Sequence, residues 1–178
     1  MAAAEPPPPR SAPVRVLVRC RPPLDSPREG AAAAAAAAAA AVSVDEARGE
    51  VAVRPGDGGC RAFAFDRVYG EGSTQRQLYE ETVRPTVRQV LRGYNATVLA
   101  YGQTGSGKTF TMMGPPGEAQ RQDLRGIVPR ALADIFDGIA AAGSGRGGDL
   151  PRSTFLVRAS YLQICARHAC ARVRAPCC

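Results

Sequence analysis

The sequence predicts an α/β fold, and three observations carry that prediction. The apolar run Ala96-Thr97-Val98-Leu99-Ala100-Tyr101 leads into a glycine-rich stretch, Gly102–Thr109, and a helical start at 109–113 follows before Gly114-Pro115 breaks it. Val14–Cys20 is β-branched and stops at Arg21-Pro22-Pro23, as a strand does. Two stretches, 73–92 and 127–136, carry apolar residues at helical spacing.

Strand, glycine-rich loop and helix occur in the order that a phosphate cradle requires. Gly102-Gln103-Thr104-Gly105-Ser106-Gly107-Lys108-Thr109 fits the G-x-x-x-x-G-K-[ST] pattern. A polyphosphate needs a ring of backbone N–H donors, and Gly102, Gly105 and Gly107 let the chain curl into one without Cβ clashes. Gln103 and Ser106 fill the turn, and Thr104 completes the candidate set. Lys108 brings an ammonium to the β- and γ-phosphates, the Thr109 hydroxyl is the candidate magnesium ligand, and the first helical turn offers its unpaired N–H groups. The plain alternative is a Gly/Ser/Thr turn that matches by accident. Of twenty-three basic residues Lys108 is the sole lysine, which fits a place where a compact point charge is needed rather than a planar fork.

At 178 residues the chain is long enough for one domain with a sizeable core. The 45% hydrophobic fraction overstates that core, because Ala31–Ala41 is an unbroken alanine tract and there is no tryptophan. Core formers concentrate in 14–20, 63–113, 127–139 and 154–164, so ordered islands joined by loose connections are expected. The net charge of +7 comes from arginines scattered along the chain. No basic stripe interleaved with aromatics appears, so solvated surface charge is preferred over nucleic-acid binding. Met1–Pro9 lacks the basic start and apolar segment of a signal peptide, and the alanine tract falls short of the about 20 apolar residues that span a bilayer. A soluble, cytoplasmic protein without membrane contact is expected. Cys165-x-x-His168-x-Cys170 matches no common zinc module, which leaves free thiols in a loose tail as the expectation.

In chain order, 1–13 reads as a flexible Ala/Pro leader and 14–20 as the first strand. Asp25–Gly30 is a loop; the alanine tract favours helix by propensity but reads better as a low-complexity insertion. Val42–Asp45 and Glu50–Val53 form a hairpin with Arg48-Gly49 in the turn, and Gly56–Gly59 is a further turn. Phe63–Tyr69 reads as one half-buried strand whose aromatics are core. Thr74 and Gln77 stand as a capping box opening a helix; Tyr79, Val83, Val87, Val90 and Leu91 share one face, Pro85 kinks it, and Gly93 ends it. The loop Pro115–Gly126 lies toward the base end of a nucleotide. A second helix starts at Ile127 with Pro129 in its first turn, 143–148 is a connector, and Thr154–Ile164 is the last strand.

Val18–Pro22, Phe63–Tyr69, Gly93–Met112, Gly126–Arg130 and Ser160–Ile164, five ordered stretches over about residues 14–164, make the chain resemble the N-terminal part of a kinesin motor domain. Val18-Arg19-Cys20-Arg21-Pro22 is similar to that family's R-x-R-P strand, and Phe63-x-Phe65-Asp66-x-Val68-Tyr69 to its F-x-F-D-x-V-[FY] strand. Gly93–Met112 resembles its phosphate-loop consensus; Gly126–Arg130 and Ser160–Ile164 resemble later segments. The resemblance implies ATP with Mg²⁺, an α/β sheet with helices on both faces, and microtubule-directed motor activity on tubulin filaments of the cytoskeleton. By motif position it implies that Arg19 and Pro22 contact the adenine, with Phe110 as a neighbour. A guanidinium and a pyrrolidine ring can each lie flat on a purine. An ordinary surface role for Arg19 remains the alternative.

The departures weigh as much. The alanine tract replaces a polar loop, residues 165–178 resemble no family element, and the switch patterns N-x-x-S-S-R and D-L-A-G-S-E occur nowhere in the 178 residues. Hydrolysis needs groups that orient water and a carboxylate that positions Mg²⁺, so a truncated head that binds ATP without turnover is expected of this chain. A strand at 97–101 would also lack its neighbours, an exposed apolar edge. A non-catalytic nucleotide-binding or partner-sequestering fragment, an unstable product, and another phosphate-loop enzyme such as a small kinase are the rival readings. Oligomeric state, cargo and direction of travel are not legible.

Overall fold

The computed structural model describes residues 14–22, 41–55, 58–117, 121–143, 154–165 and 168–176. The readings of the leader, of the alanine tract up to Ala40 and of the connector 144–148 fall outside the described residues. The chain divides into two compact units at Ala131/Leu132.

In the first unit, β1 (Leu17–Arg19) pairs in parallel with β5 (Arg67–Tyr69), Val18 opposite Val68. The antiparallel strands β2 (Val42–Asp45), β3 (Glu50–Val53) and β4 (Arg61–Ala64) form a separate sheet in that order. The β2–β3 turn uses Gly49 at φ 69°, where a Cβ would stand 2.7 Å from the Phe65 carbonyl oxygen. The Asp45 carboxylate accepts the Arg48 N–H at 2.9 Å, so the turn is the one the sequence indicates.

The single strand expected over 63–69 is instead two strands in two sheets. Phe65 donates its N–H to the Gly49 oxygen at 2.9 Å, whereas Asp66 donates to the Val16 oxygen at 3.0 Å. Asp66 Oδ2 then accepts the Val16 N–H at 2.6 Å and closes the junction. Val68 and Tyr69 are adjacent yet both fully buried, the mark of a strand covered on both faces. Tyr69 meets the expectation that the aromatics here are core; Phe63, half exposed, does not.

The helix expected over 73–92 forms with an interruption. Thr74 caps α1 (Gln75–Leu78) by accepting the Gln77 N–H at 3.0 Å. A π-helical turn, Tyr79–Val83, follows and then α2 (Arg84–Leu91), with Pro85 in its first turn. Proline lacks an N–H and crowds the carbonyl four residues back, and the wide turn, closed by Arg84 N–H to Tyr79 O, absorbs both effects. Leu78, Tyr79, Val83 and Val87 are buried, but Val90 and Leu91 are exposed, so the apolar face is shorter than its spacing suggests. Gly93 at φ 96° ends the helix as expected: its N–H reaches Val90 O and that of Tyr94 reaches Gln89 O. Truncating the cap, Thr74→Ala, is expected to cost about 1 kcal/mol, read as a lowered urea midpoint by circular dichroism. An unmoved midpoint would show that the cap contributes nothing.

The apolar run 96–101 is not a buried parallel strand. Among the described residues no strand pairs with it, and Leu99 and Tyr101 are 85% and 97% exposed. A parallel strand owes its ladder to neighbours distant in sequence, and its own composition cannot supply them. The short helix α3 (Lys108–Met113) begins after the glycine-rich loop. Gly126 packs against its end so closely that a Cβ would lie 2.5 Å from the Met112 carbonyl carbon.

The helix α4 (Ile127–Gly143) begins in the first unit and runs seven residues past the expected periodic stretch. In the second unit β6 (Arg158–Cys165) pairs antiparallel with β7 (His168–Pro176). The patternless tail expected after Cys165 is therefore corrected over 168–176, where Ala171, Val173 and Ala175 alternate with Arg172 and Arg174 at the period of a strand. The side chains of the Cys165/His168/Cys170 set lie outside the description.

Candidate functional site

Three glycines with positive φ shape the loop after Tyr101: Gly102 at 153°, Gly105 at 82° and Gly107 at 96°. Within it Ser106 donates its N–H to Gln103 O at 3.2 Å, and the first bond of α3, Thr111 N–H to Gly107 O, spans 2.9 Å. The N–H groups of Lys108, Thr109 and Phe110 precede that bond and have no intrahelical acceptor. Gly107 opens α3 in the left-handed region and, having no side chain, supplies no cap to those donors. Lys108 Nζ donates to the carbonyls of Gly102 at 2.8 Å and Gln103 at 2.7 Å, which holds its ammonium over the loop. Gln103, Thr104 and Thr109 are exposed, and Ser106 is half-buried.

These residues fit a magnesium-bound polyphosphate. Cβ atoms are missing where a phosphate would approach, an ammonium sits above the loop, and Thr109 stands in the first turn of α3. Among the described residues no three His, Cys, Asp or Glu side chains group as a metal site.

Arg19 and Phe110, expected beside the base, are brought together: the guanidinium carbon lies 5.4 Å from the ring centroid. Arg19 also donates to Gln75 Oε1 at 2.8 Å, to Thr111 Oγ1 at 3.0 Å and to Ser73 O at 3.2 Å. Burial lowers its pKa, though an arginine keeps its charge. Pro22 is exposed at the end of the same segment. Between them, burial pushes the Cys20 thiol up, and the charges of Glu71 and Glu46 add to this.

Two participants escaped the sequence reading. Arg21 donates to the Gly105 carbonyl and so tethers the segment after β1 to the loop; its place in the R-x-R-P pattern was the available signal. Gln75 is 4% exposed and donates to Phe110 O at 2.5 Å as well as accepting from Arg19. Nothing local marks it, because a glutamine after an N-cap is ordinarily solvated. Arg130 secures the neighbouring loop through the carbonyls of Arg125, Gln122 and Asp123.

A family model described as the kinesin motor domain matches residues 19–170. Kinesin-like protein KIF3C of Pongo abelii and that of Mus musculus are each 41% identical over 156 residues, covering 85% of this chain and 17% of the relative. The Bos taurus protein is 40% identical over 155 residues with the same coverage. A solved structure of a fast kinesin, described with implications for ATPase mechanism and interactions with microtubules, superposes with a TM-score of 0.58 at 30% identity. That match covers 74% of this chain and 34% of the other. The chain thus spans about a sixth of the curated relatives it matches. With the phosphate loop, the R-x-R-P strand and the α/β framework in agreement, the chain belongs to the kinesin motor domain family.

Proposed function

We propose that Gly102–Thr109 binds the polyphosphate of ATP with Mg²⁺, and that in a full-length protein of this family such binding serves microtubule-based movement on the cytoskeleton. The observation that carries this reading is the left-handed, uncapped start of α3 beneath the Lys108 ammonium. Backbone N–H groups without intrahelical acceptors and one cation then occur together at the start of α3, an arrangement suited to phosphate oxygens. Thr109 holds the metal, which when bound neutralises charge on the phosphates. Arg19, Pro22 and Phe110 form the base end. Residues 14–164, with the insertion at 31–41, constitute the motor-like part, flanked by the leader 1–13 and the segment 165–178.

Titration calorimetry of the purified chain is expected to give saturable, one-to-one Mg–ATP binding that EDTA abolishes. Absence of saturation at millimolar Mg–ATP would overturn the proposal. Binding without turnover is the second reading, favoured because neither switch pattern occurs in the 178 residues. Phosphate release stimulated by microtubules would reject it in favour of motor activity by this chain alone.

A further inference from the structure

Gln75 is a buried polar residue whose amide is used on both sides. Its stem is fixed at the first position of α1, directly after the Thr74 cap. From there Oε1 accepts from Arg19 on β1 at 2.8 Å, while Nε2 donates to Phe110 O on α3 at 2.5 Å and to Leu124 O at 3.4 Å. A buried amide without partners would cost about 1–3 kcal/mol, so these bonds fix its orientation and, through it, that of its partners.

The partner that matters is Arg19. Gln75 Oε1, Ser73 O and Thr111 Oγ1 take its N–H groups along the guanidinium edge, and the Phe110 ring lies at 5.4 Å. A free arginine side chain loses rotamer freedom when it stacks on a ligand; one already clamped does not. We propose that Gln75, assisted by Thr111, is a positioning residue that holds the Arg19 guanidinium beside Phe110 for stacking on the base of a bound nucleotide. This rests on the nucleotide reading above. It assigns Gln75 to recognition of the base rather than of the phosphates.

Two probes separate these ends: Mg–ATP, and Mg–tripolyphosphate, which has neither base nor ribose. In Gln75→Met, which keeps length but loses all three bonds, the dissociation constant for Mg–ATP is expected to rise about tenfold, and that for Mg–tripolyphosphate less than about twofold. Thr111→Val removes a different acceptor of Arg19 while retaining shape, so it serves if the first variant does not fold; a selective rise of about threefold is expected. Were both probes weakened by the same factor, or neither, in the folded variants, Gln75 would be a structural residue and the inference wrong. If the unaltered chain binds neither probe, or Lys108→Ala binds both as tightly as the unaltered chain, the nucleotide reading itself fails and the inference falls with it. Loss of both probes in Lys108→Ala, with an unchanged ratio in Gln75→Met and Thr111→Val, would overturn the inference alone.

Discussion

Lys108→Ala is expected to raise the dissociation constant for Mg–ATP between about tenfold and about a hundredfold, with little change in stability. A hydrogen bond to a charged group contributes about 1.5–3 kcal/mol, and each 1.4 kcal/mol is about a factor of ten. Lys108 is the one lysine in the chain, so no second lysine can substitute. Among the described residues its bonds go to the exposed carbonyls of Gly102 and Gln103, so the fold loses about 0.5 kcal/mol at most. Lys108→Arg is expected to restore charge without restoring affinity, because a planar fork cannot settle where a compact ammonium does. Calorimetry and a thermal melt on the same samples separate binding from stability. Unaltered affinity in Lys108→Ala would remove the physical basis of the phosphate site.

The largest effect on stability is expected at Tyr69. Its side chain is fully buried on β5, its hydroxyl donates to Glu81 Oε2 at 3.1 Å, and Arg67 donates to the same oxygen at 2.8 Å. Removing such a ring typically costs about 3–5 kcal/mol, against a total of about 5–15 kcal/mol for a domain. Tyr69→Ala should therefore yield little folded chain, while Tyr69→Phe keeps the ring and forfeits about 1 kcal/mol. Urea unfolding followed by circular dichroism tests both. A shift below about 1 kcal/mol in Tyr69→Ala would mean that the β1–β5 pair is not the core of its unit.

Features set by adjacent residues were the ones legible in the sequence. The dihedrals of Gly102, Gly105 and Gly107, the Thr74 cap, the Gly93 stop and the Gly49 turn each answer a local steric or hydrogen-bonding demand. The π turn was half visible, since Pro85 announced a disruption without stating its form. Features that depend on distant partners were not legible. The run 96–101 has the composition of a buried strand; its exposure agrees with the missing neighbours that the family resemblance implied, and nothing in the run itself signalled it. Phe63–Tyr69 alternates like one strand and divides because Gly49 and Val16, remote in sequence, accept from consecutive amides. Gln75 went unmarked between Thr74 and Gln77, which signalled the helix start, and proved to be the centre of a network, since burial of a polar side chain follows from what packs over it.

The junction at Phe65 and Asp66 has a mechanical consequence. Two successive peptide units, carrying the Phe65 and Asp66 N–H groups, bond one to the turn of the antiparallel sheet and the other to the segment entering β1, which leaves little slack between the two sheets. A displacement of β1, which carries Arg19, must pull on the β2–β3 turn through that short stiff link, and the two amides should share one rate of hydrogen exchange.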